Sequence, residues 1–353
     1  MKKNIFLVGY TANNLGDDLF IRILLERYSK TKFTIVADRK YEKKMNRKNL
    51  NVLNDKLYKI NEYINKYIIH SKHSYFDILA SKYDATVIIG GSMYIEPTGA
   101  FVNNCLCEKK PYYILGINFG PYKTNRYYLK ALEFFKSAED VCFRDKNSYE
   151  LFSSLSNVRL APDIVFSLSL PSVEENNELF VSVMNFKNKE NLARFHDNYI
   201  TTIINYIKEN INNFDVINLV SFCEKEGDEE GIKEILESLS SYEIGKVKSL
   251  YYKNNIDELL VAVAKSSVIL ATRFHSIVLG LSAGKRVIPI CYNNKSQNLL
   301  VDLGFKDYIV TLNNLNIVKL REISLKPNDL QNLKNEAEKH FDALDRYIMN
   351  LED

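Results

Sequence analysis

The chain has 353 residues, 46% hydrophobic and 26% charged, and its formal net charge at pH 7 is only +3. Such a composition describes a soluble globular protein with a sizeable core, and the near balance of charge argues against a nucleic-acid partner, which demands a larger basic excess. The length exceeds one typical core and predicts two domains of about 150 to 180 residues each.

Residues 4–10 form an apolar run ending in Gly9-Tyr10, followed by a polar loop at 11–16 and a helical face made by Leu19, Phe20, Ile23, Leu24 and Tyr28. Asp17 or Asp18 is expected to cap the first turn. This reads as the first βα unit of a Rossmann-like domain, but the loop lacks G-x-G-x-x-G and gives no sign of a dinucleotide site. The opening MKKNIFLVGY has too short an apolar core for an export signal. Residues 32–38 read as a second strand. The basic stretch 39–48 is read as a solvated helix face, with attraction to an anionic membrane surface, at ~1 kcal/mol per charge, as the functional alternative. Residues 56–80 look helical. The apolar runs at 85–91, 113–120 and 140–143 suit strands buried on both faces of a parallel sheet. They end in Gly90-Gly91-Ser92, Gly120-Pro121 and Arg144-Asp145, as the edge of a ligand cleft should.

A short helix at 148–155 and a short strand at 158–160 close the first half, and the polar stretch 171–178 is the best linker. A second series follows, with strands at 179–184, 214–222, 247–251 and 268–270 alternating with helices at 190–211, 229–239 and 256–264. Residues 270–300 (LATRFHSIVLGLSAGKRVIPICYNNKSQNLL) then read as strand, loop, helix, strand. Arg273 and His275 fall at the carboxyl end of the first of these strands. Arg supplies a planar fork, the helix beginning near Ser276 supplies backbone N–H groups, and His titrates near neutrality: an anion site with a proton carrier. The structural alternative is an Arg paired with a carboxylate and an inert His. After Pro327, residues 329–351 form an amphipathic helix that covers the second domain or crosses back to the first. The pattern therefore predicts an α/β protein of two Rossmann-like domains facing across a cleft, GT-B-like. Their expected bounds are 1–170 and 178–325, with 326–353 the final helix.

The five cysteines, Cys105, Cys107, Cys142, Cys223 and Cys291, are odd in number and spread over both halves, which fits free thiols in the cytoplasm. Cys105-x-Cys107 has no second pair, so no metal is expected. No apolar stretch approaches the ~20 residues of a membrane span.

Four separated segments resemble the polysaccharide pyruvyl transferase family. They are Gly9-Tyr10 with Asn13-Asn14-Leu15-Gly16-Asp17-Asp18; Gly90-Gly91-Ser92; Gly116, Gly120-Pro121, Arg144-Asp145, Ser148 and Pro162-Asp163; and Arg273-Phe274-His275, Ala283-Gly284, Tyr292 and Lys295. Order and spacing carry the resemblance, and Thr11 and Ala12 stand where the family commonly has glycines. It implies transfer of a pyruvyl group from phosphoenolpyruvate to hydroxyls of a sugar in a cell-surface or exopolysaccharide precursor, forming a ketal and releasing phosphate. No cofactor is implied beyond that co-substrate. The acceptor would be a sugar or lipid-linked oligosaccharide, met in the cytoplasm or peripherally at the inner face of the membrane.

By the same resemblance, Arg273 and Arg144 would bind the two anionic groups of the donor, Lys295 would hold the leaving phosphate, and His275 would serve the proton transfer to the enol carbon. Gly90, Gly91, Ser92, Asn14 and Gly16 are further substrate-binding candidates. Asp17 and Asp18 either cap the helix or act on the acceptor, with metal binding a weaker third reading. Tyr10, Tyr94, Phe119 and Tyr122 are either sugar platforms or packing. The competing readings are a nucleotide-sugar-dependent glycosyltransferase and a non-catalytic member of a glycan-assembly complex.

Overall fold

The computed structural model describes residues 3–97, 110–253 and 255–349, so Cys105 and Cys107 lie outside the described residues. The chain divides into two compact units. The first comprises Met1–Ala12, Asp17–Ile164 and Asn335–Asp353, the second Asn13–Gly16 and Val165–Lys334.

In the first unit the strands are β1 (Asn4–Val8), β2 (Lys32–Ala37), β3 (Leu50–Asn54), β4 (Ala85–Ile89), β5 (Tyr112–Ile117), β6 (Asp140–Phe143) and β7 (Val158–Leu160). They form a parallel sheet in the order β3-β2-β1-β4-β5-β6-β7. The second unit contains β8 (Glu178–Ser182), β9 (Val216–Ser221), β10 (Val247–Tyr251), β11 (Ser266–Ala271), β12 (Arg286–Cys291) and β13 (Val310–Thr311). These are also parallel, in the order β10-β9-β8-β11-β12-β13. Both units are thus Rossmann-like, as the βα alternation predicts. β4 and β5 are buried along their whole length, which is why they read as unbroken apolar runs. Each sheet reverses its strand order once, between β1 and β4 and between β8 and β11. Ligands of such sheets enter at the carboxyl ends of the strands flanking that reversal.

The helix expected over 56–80 is two helices, Asp55–Tyr67 and Tyr75–Ala80. Asn54 starts the first by accepting from the Leu57 N–H at 3.1 Å, and a capping box between Ser74 and Asp77 starts the second. The break falls on the polar run His70-Ser71-Lys72-His73-Ser74, where apolar spacing stops until Tyr75-Phe76. The final helix is likewise interrupted, running Pro327–Glu338 and Asp342–Met349 with a 3-10 turn at Lys339–Phe341.

This last segment is fastened to the first unit by polar contacts. The Tyr28 hydroxyl donates to Asp345 at 2.7 Å, Arg27 pairs with Asp345 and Glu338, and the Tyr347 hydroxyl donates to the Asp84 carbonyl at 2.9 Å. His340, fully buried, donates from Nε2 to the Pro162 carbonyl at 2.7 Å. Burial pushes its pKa down to about 3 against the pull of that carbonyl, and the Arg159 and Arg144 charges add to the depression.

His340 is therefore neutral in the folded chain, while the unfolded chain takes up its proton as pH falls below the ordinary 6.5. Stability is lost across the window from about 6.5 toward 3, by at most about 1.4 kcal/mol per pH unit from this residue. His340→Gln, which keeps an N–H for Pro162, should flatten the dependence of Tm on pH in that window. Parallel Tm curves for variant and wild type would refute the assignment.

Candidate functional site

In the first unit the residues singled out from sequence gather at the β1/β4 reversal. Gly90-Gly91-Ser92 follows β4, and the Arg144 guanidinium lies against Gly91. A Cβ built on Gly91 would fall 2.6 Å from Nη2 and 2.7 Å from Cζ. Only glycine leaves room for that approach. Arg144 donates to Asp163 at 2.8 Å and to Asn118 Oδ1 at 2.7 Å, and the Ser92 hydroxyl donates to the same Asn118 oxygen at 3.1 Å. The Arg144 and Asp163 side chains are 4% and 1% exposed, so the pair is desolvated. Asp145 is used otherwise than as an ion partner of its neighbour. It caps the helix Lys146–Phe152 by accepting from the Ser148 N–H at 2.9 Å, and the Ser148 hydroxyl accepts from the Phe119 N–H at 2.8 Å.

Asp17 and Asp18 lie in the first turn of the helix Leu15–Arg27. Asp18 is completely buried, accepts from the Tyr41 hydroxyl at 2.7 Å and pairs with Lys44. It is committed to a buried ion pair, a role that differs from both helix cap and sugar contact. The same pair, with Arg47–Glu26, gives part of the basic stretch 39–48 a structural use. Of the four aromatics named as platforms, Tyr94 and Phe119 are core residues, whereas Tyr10 and Tyr122 are exposed.

In the second unit the β8/β11 reversal carries Arg273 and His275. The Ser182 hydroxyl, at the end of β8, accepts from the backbone N–H groups of Thr272 at 2.8 Å and Arg273 at 3.2 Å. Ser276 Oγ lies 2.7 Å from Ser182 Oγ and donates to the Arg273 carbonyl at 2.6 Å. Those hydroxyls lock the turn into the helix Phe274–Ser282. The Arg273 guanidinium is buried. Nε and Nη2 close on the two oxygens of Asp228, and Nη1 donates to Glu226 at 2.8 Å. Burial works against the charge, but Asp228, with Tyr292 and Glu226, more than offsets it and holds the guanidinium protonated. Burial alone would also raise the Glu226 carboxyl, yet Arg273 and Lys189 hold it down to about 2. The bidentate edge expected for a donor anion is therefore occupied by Asp228.

Between Ala271 and Ser282 every residue is buried except His275, which is half-buried. Its ring packs edge-on against Phe274, centroids 5.1 Å apart. Gly16 belongs to this unit and lies against the ring, so that a Cβ on it would fall 1.8 Å from Nδ1. Asn14 holds that approach by accepting from the Gly16 N–H at 3.0 Å, and the Leu15 N–H donates to the Phe222 carbonyl at 3.1 Å. Lys295, in the first turn of the helix Asn294–Asp302, has its Nζ 5.8 Å from the centre of the Phe274 ring.

A family model described as polysaccharide pyruvyl transferase matches residues 14–294. The chain belongs to the polysaccharide pyruvyl transferase family. No curated protein gives a significant match to the sequence. Among solved structures it is similar to UDP-GlcNAc 2-epimerase from Methanocaldococcus jannaschii, with 12% identity, TM-score 0.58 and coverage of 99% of this chain and 100% of that one. It is also similar to UDP-GlcNAc 2-epimerase from Neisseria meningitidis bound to UDP-GlcNAc, with 13% identity, TM-score 0.55 and coverage of 98% and 99%. S. aureus MnaA with UDP gives 12% identity, TM-score 0.55 and coverage of 99% and 98%. These likenesses show the fold.

As a pyruvyl transferase family member the chain contributes residues that its linear pattern did not single out. Asn118 is shared by Ser92 and Arg144, Asp228 and Glu226 hold Arg273, and Ser182 holds the turn before His275. Glu226 and Asp228 flank Gly227, whose φ of +79° marks a tight turn. Acidic residues around such a glycine, just beyond an apolar strand, were the available signal. Cys142 and Cys291 are buried free thiols whose pKa burial pushes up to about 12, so they are chemically quiet. Among the described residues no group of three His, Cys, Asp or Glu side chains is placed to hold a metal, and no helix is long and apolar enough to cross a membrane.

Arg273→Lys retains the charge but cannot close on both Asp228 oxygens, so unfolding free energy should fall by about 1.5 to 3 kcal/mol. Asp228→Asn, which strands a buried guanidinium, should cost about 3 to 5 kcal/mol, and the double variant less than the sum because both remove one interaction. Urea denaturation reads all three. Strictly additive losses would show that the two side chains act independently.

Proposed function

We propose that this transferase moves a pyruvyl group from phosphoenolpyruvate to two hydroxyls of a sugar, forming a ketal and releasing inorganic phosphate. Membership of the family supports the reaction class. The observation that carries the residue assignment is His275, the half-buried titratable side chain of an otherwise buried turn, at a strand-order reversal where parallel sheets receive ligands.

In this reading His275 delivers the proton that converts the enol CH2 carbon to a methyl group, leaving positive charge at the carbon that bears the phosphate. One sugar hydroxyl adds to that carbon and loses its proton. The carbon–oxygen bond to phosphate then breaks, the second hydroxyl adds, and its proton leaves with the phosphate. Two hydroxyl protons are released, one replacing the proton spent on carbon and one accounted for on phosphate. Lys295 lies in the same unit as a point charge for the phosphate. Arg273 fixes the turn that presents His275, its fork being held by Asp228 and Glu226. Gly16 and Asn14 set the ring's position. Within the first unit, Arg144, Gly90, Gly91 and Ser92 are assigned to substrate binding and Asp17 to the acceptor hydroxyl.

The test is incubation with phosphoenolpyruvate and nitrophenyl or lipid-linked sugars while phosphate release and sugar mass are followed. Equimolar phosphate and pyruvylated sugar are expected. Turnover of a UDP-sugar without use of phosphoenolpyruvate would overturn the proposal in favour of glycosyl transfer. His275→Ala should lower turnover by about 100-fold or more while phosphoenolpyruvate affinity stays within a few-fold. Gly16→Ala should reproduce much of that loss by displacing the ring. Wild-type turnover in His275→Ala would remove the residue from the mechanism.

A further inference from the structure

We infer that the helix Asp55–Tyr67 of the first unit docks the protein on an anionic lipid surface. The inference rests on this helix alone and is independent of the reaction proposed above. Leu57 is 53% exposed, Ile60 54%, Tyr63 60% and Tyr67 53%, and Ile68 and Ile69 beyond the helix end are each 65% exposed. At 100° per residue, Leu57, Ile60, Tyr63, Ile64, Tyr67 and Ile68 fall within an arc of about 140°, so the apolar residues form one continuous stripe.

The stripe points away from the sheet because the opposite side of the helix is the one that packs. Tyr58 is partly buried against the unit's core and meets the Tyr75 ring at 5.4 Å, while buried Asn65 donates to the His73 carbonyl at 2.8 Å. Five exposed large apolar side chains on one stripe, Leu57, Ile60, Tyr63, Tyr67 and Ile68, with Ile64 partly buried among them, mark an interaction site rather than ordinary surface scatter.

The flanking charges select the partner. Lys56, Lys59 and Lys66 are exposed and lie within or beside the apolar arc, whereas Asp55 and Glu62 lie beyond them on the far side. Lys66 sits over the Tyr67 ring at 4.9 Å, and the Tyr63 and Tyr67 rings are 4.9 Å apart. Paired tyrosines with lysines at the edge of an apolar stripe match a membrane interface. The rings occupy the headgroup level, the isoleucines and leucine reach the acyl boundary, and the ammonium groups meet lipid phosphates. The helix is too short and too polar on its packed side to span, so the contact is peripheral.

The test is flotation of the full chain with vesicles of phosphatidylcholine alone or with roughly one-third phosphatidylglycerol. Two variants accompany it: Ile60→Ser with Tyr63→Ser and Ile68→Ser, and Lys56→Glu with Lys59→Glu and Lys66→Glu. All six positions are exposed, and thermal unfolding checks that the variants fold. Wild type should float with the anionic vesicles and be released by salt. The serine variant should lose at least about tenfold in partitioning, and the lysine variant about fivefold per charge removed. Wild type that stays off the anionic vesicles would overturn the inference, as would variants that bind undiminished. A serine variant that turns a dimer into a monomer in light scattering while wild type ignores vesicles would assign the stripe to a second copy of the chain, and that too overturns it.

Discussion

A strand–helix–strand crossover between parallel strands is right-handed almost without exception, so a sheet that grows first one way and then the other must place its helices on opposite faces. At the point where growth reverses, two neighbouring strands send their chains apart and a crevice opens at their carboxyl ends. Both sheets of this protein contain that reversal, at β1/β4 and at β8/β11. The residues that matter chemically follow from it. Gly90-Gly91-Ser92 leaves β4, and Thr272-Arg273 leaves β11 beside Ser182 at the end of β8.

Given those crevices, the distribution of charge obeys the cost of desolvation. Arg144, Arg273 and Lys44 are all nearly sequestered from water, and each is matched by a carboxylate within its own unit: Asp163, Asp228 and Asp18. Removing one member of such a pair strands the other at a cost of about 3 to 5 kcal/mol, whereas the intact pair contributes little net stability. The value of the pairs is therefore geometric. Arg273 clamps the loop at Glu226–Asp228 to the turn that presents His275, and Arg144 ties Asp163 and Asn118 to the backbone of Gly91. Neither cation can leave its partner cheaply, so both guanidinium groups are fixed in place by their carboxylates.

The closed network contrasts with the surface of the helix Asp55–Tyr67, where large apolar groups remain in water. A soluble fold buries such groups at about 25 cal/mol per Å² when it can. Here the packed side of the helix is satisfied by Tyr58 and Asn65 while its outer stripe is left open.

By itself the sequence determined the α/β class, the two βα series, the family, and the strand ends at Gly90, Arg144 and Arg273. These follow from local features: apolar runs of strand length, glycines and charges at their ends, and the order of short motifs. The interruption at 68–74 is written locally, in the polar run 70–74 and the capping box of Ser74 with Asp77, which a reading weighted toward the apolar residues on either side passes over. What only the tertiary structure decided is the use to which each charged motif residue is put. Asp18 reads as a helix cap until Lys44 and Tyr41 close on it, and Arg273 reads as an open fork until Asp228 occupies it. Asn14 and Gly16, printed between residues of the first unit, do their packing in the second, against the ring of His275. The reason is that the free energy of a buried charge or a close backbone approach depends on partners tens or hundreds of residues away, and proximity of that kind exists only once the sheets have formed.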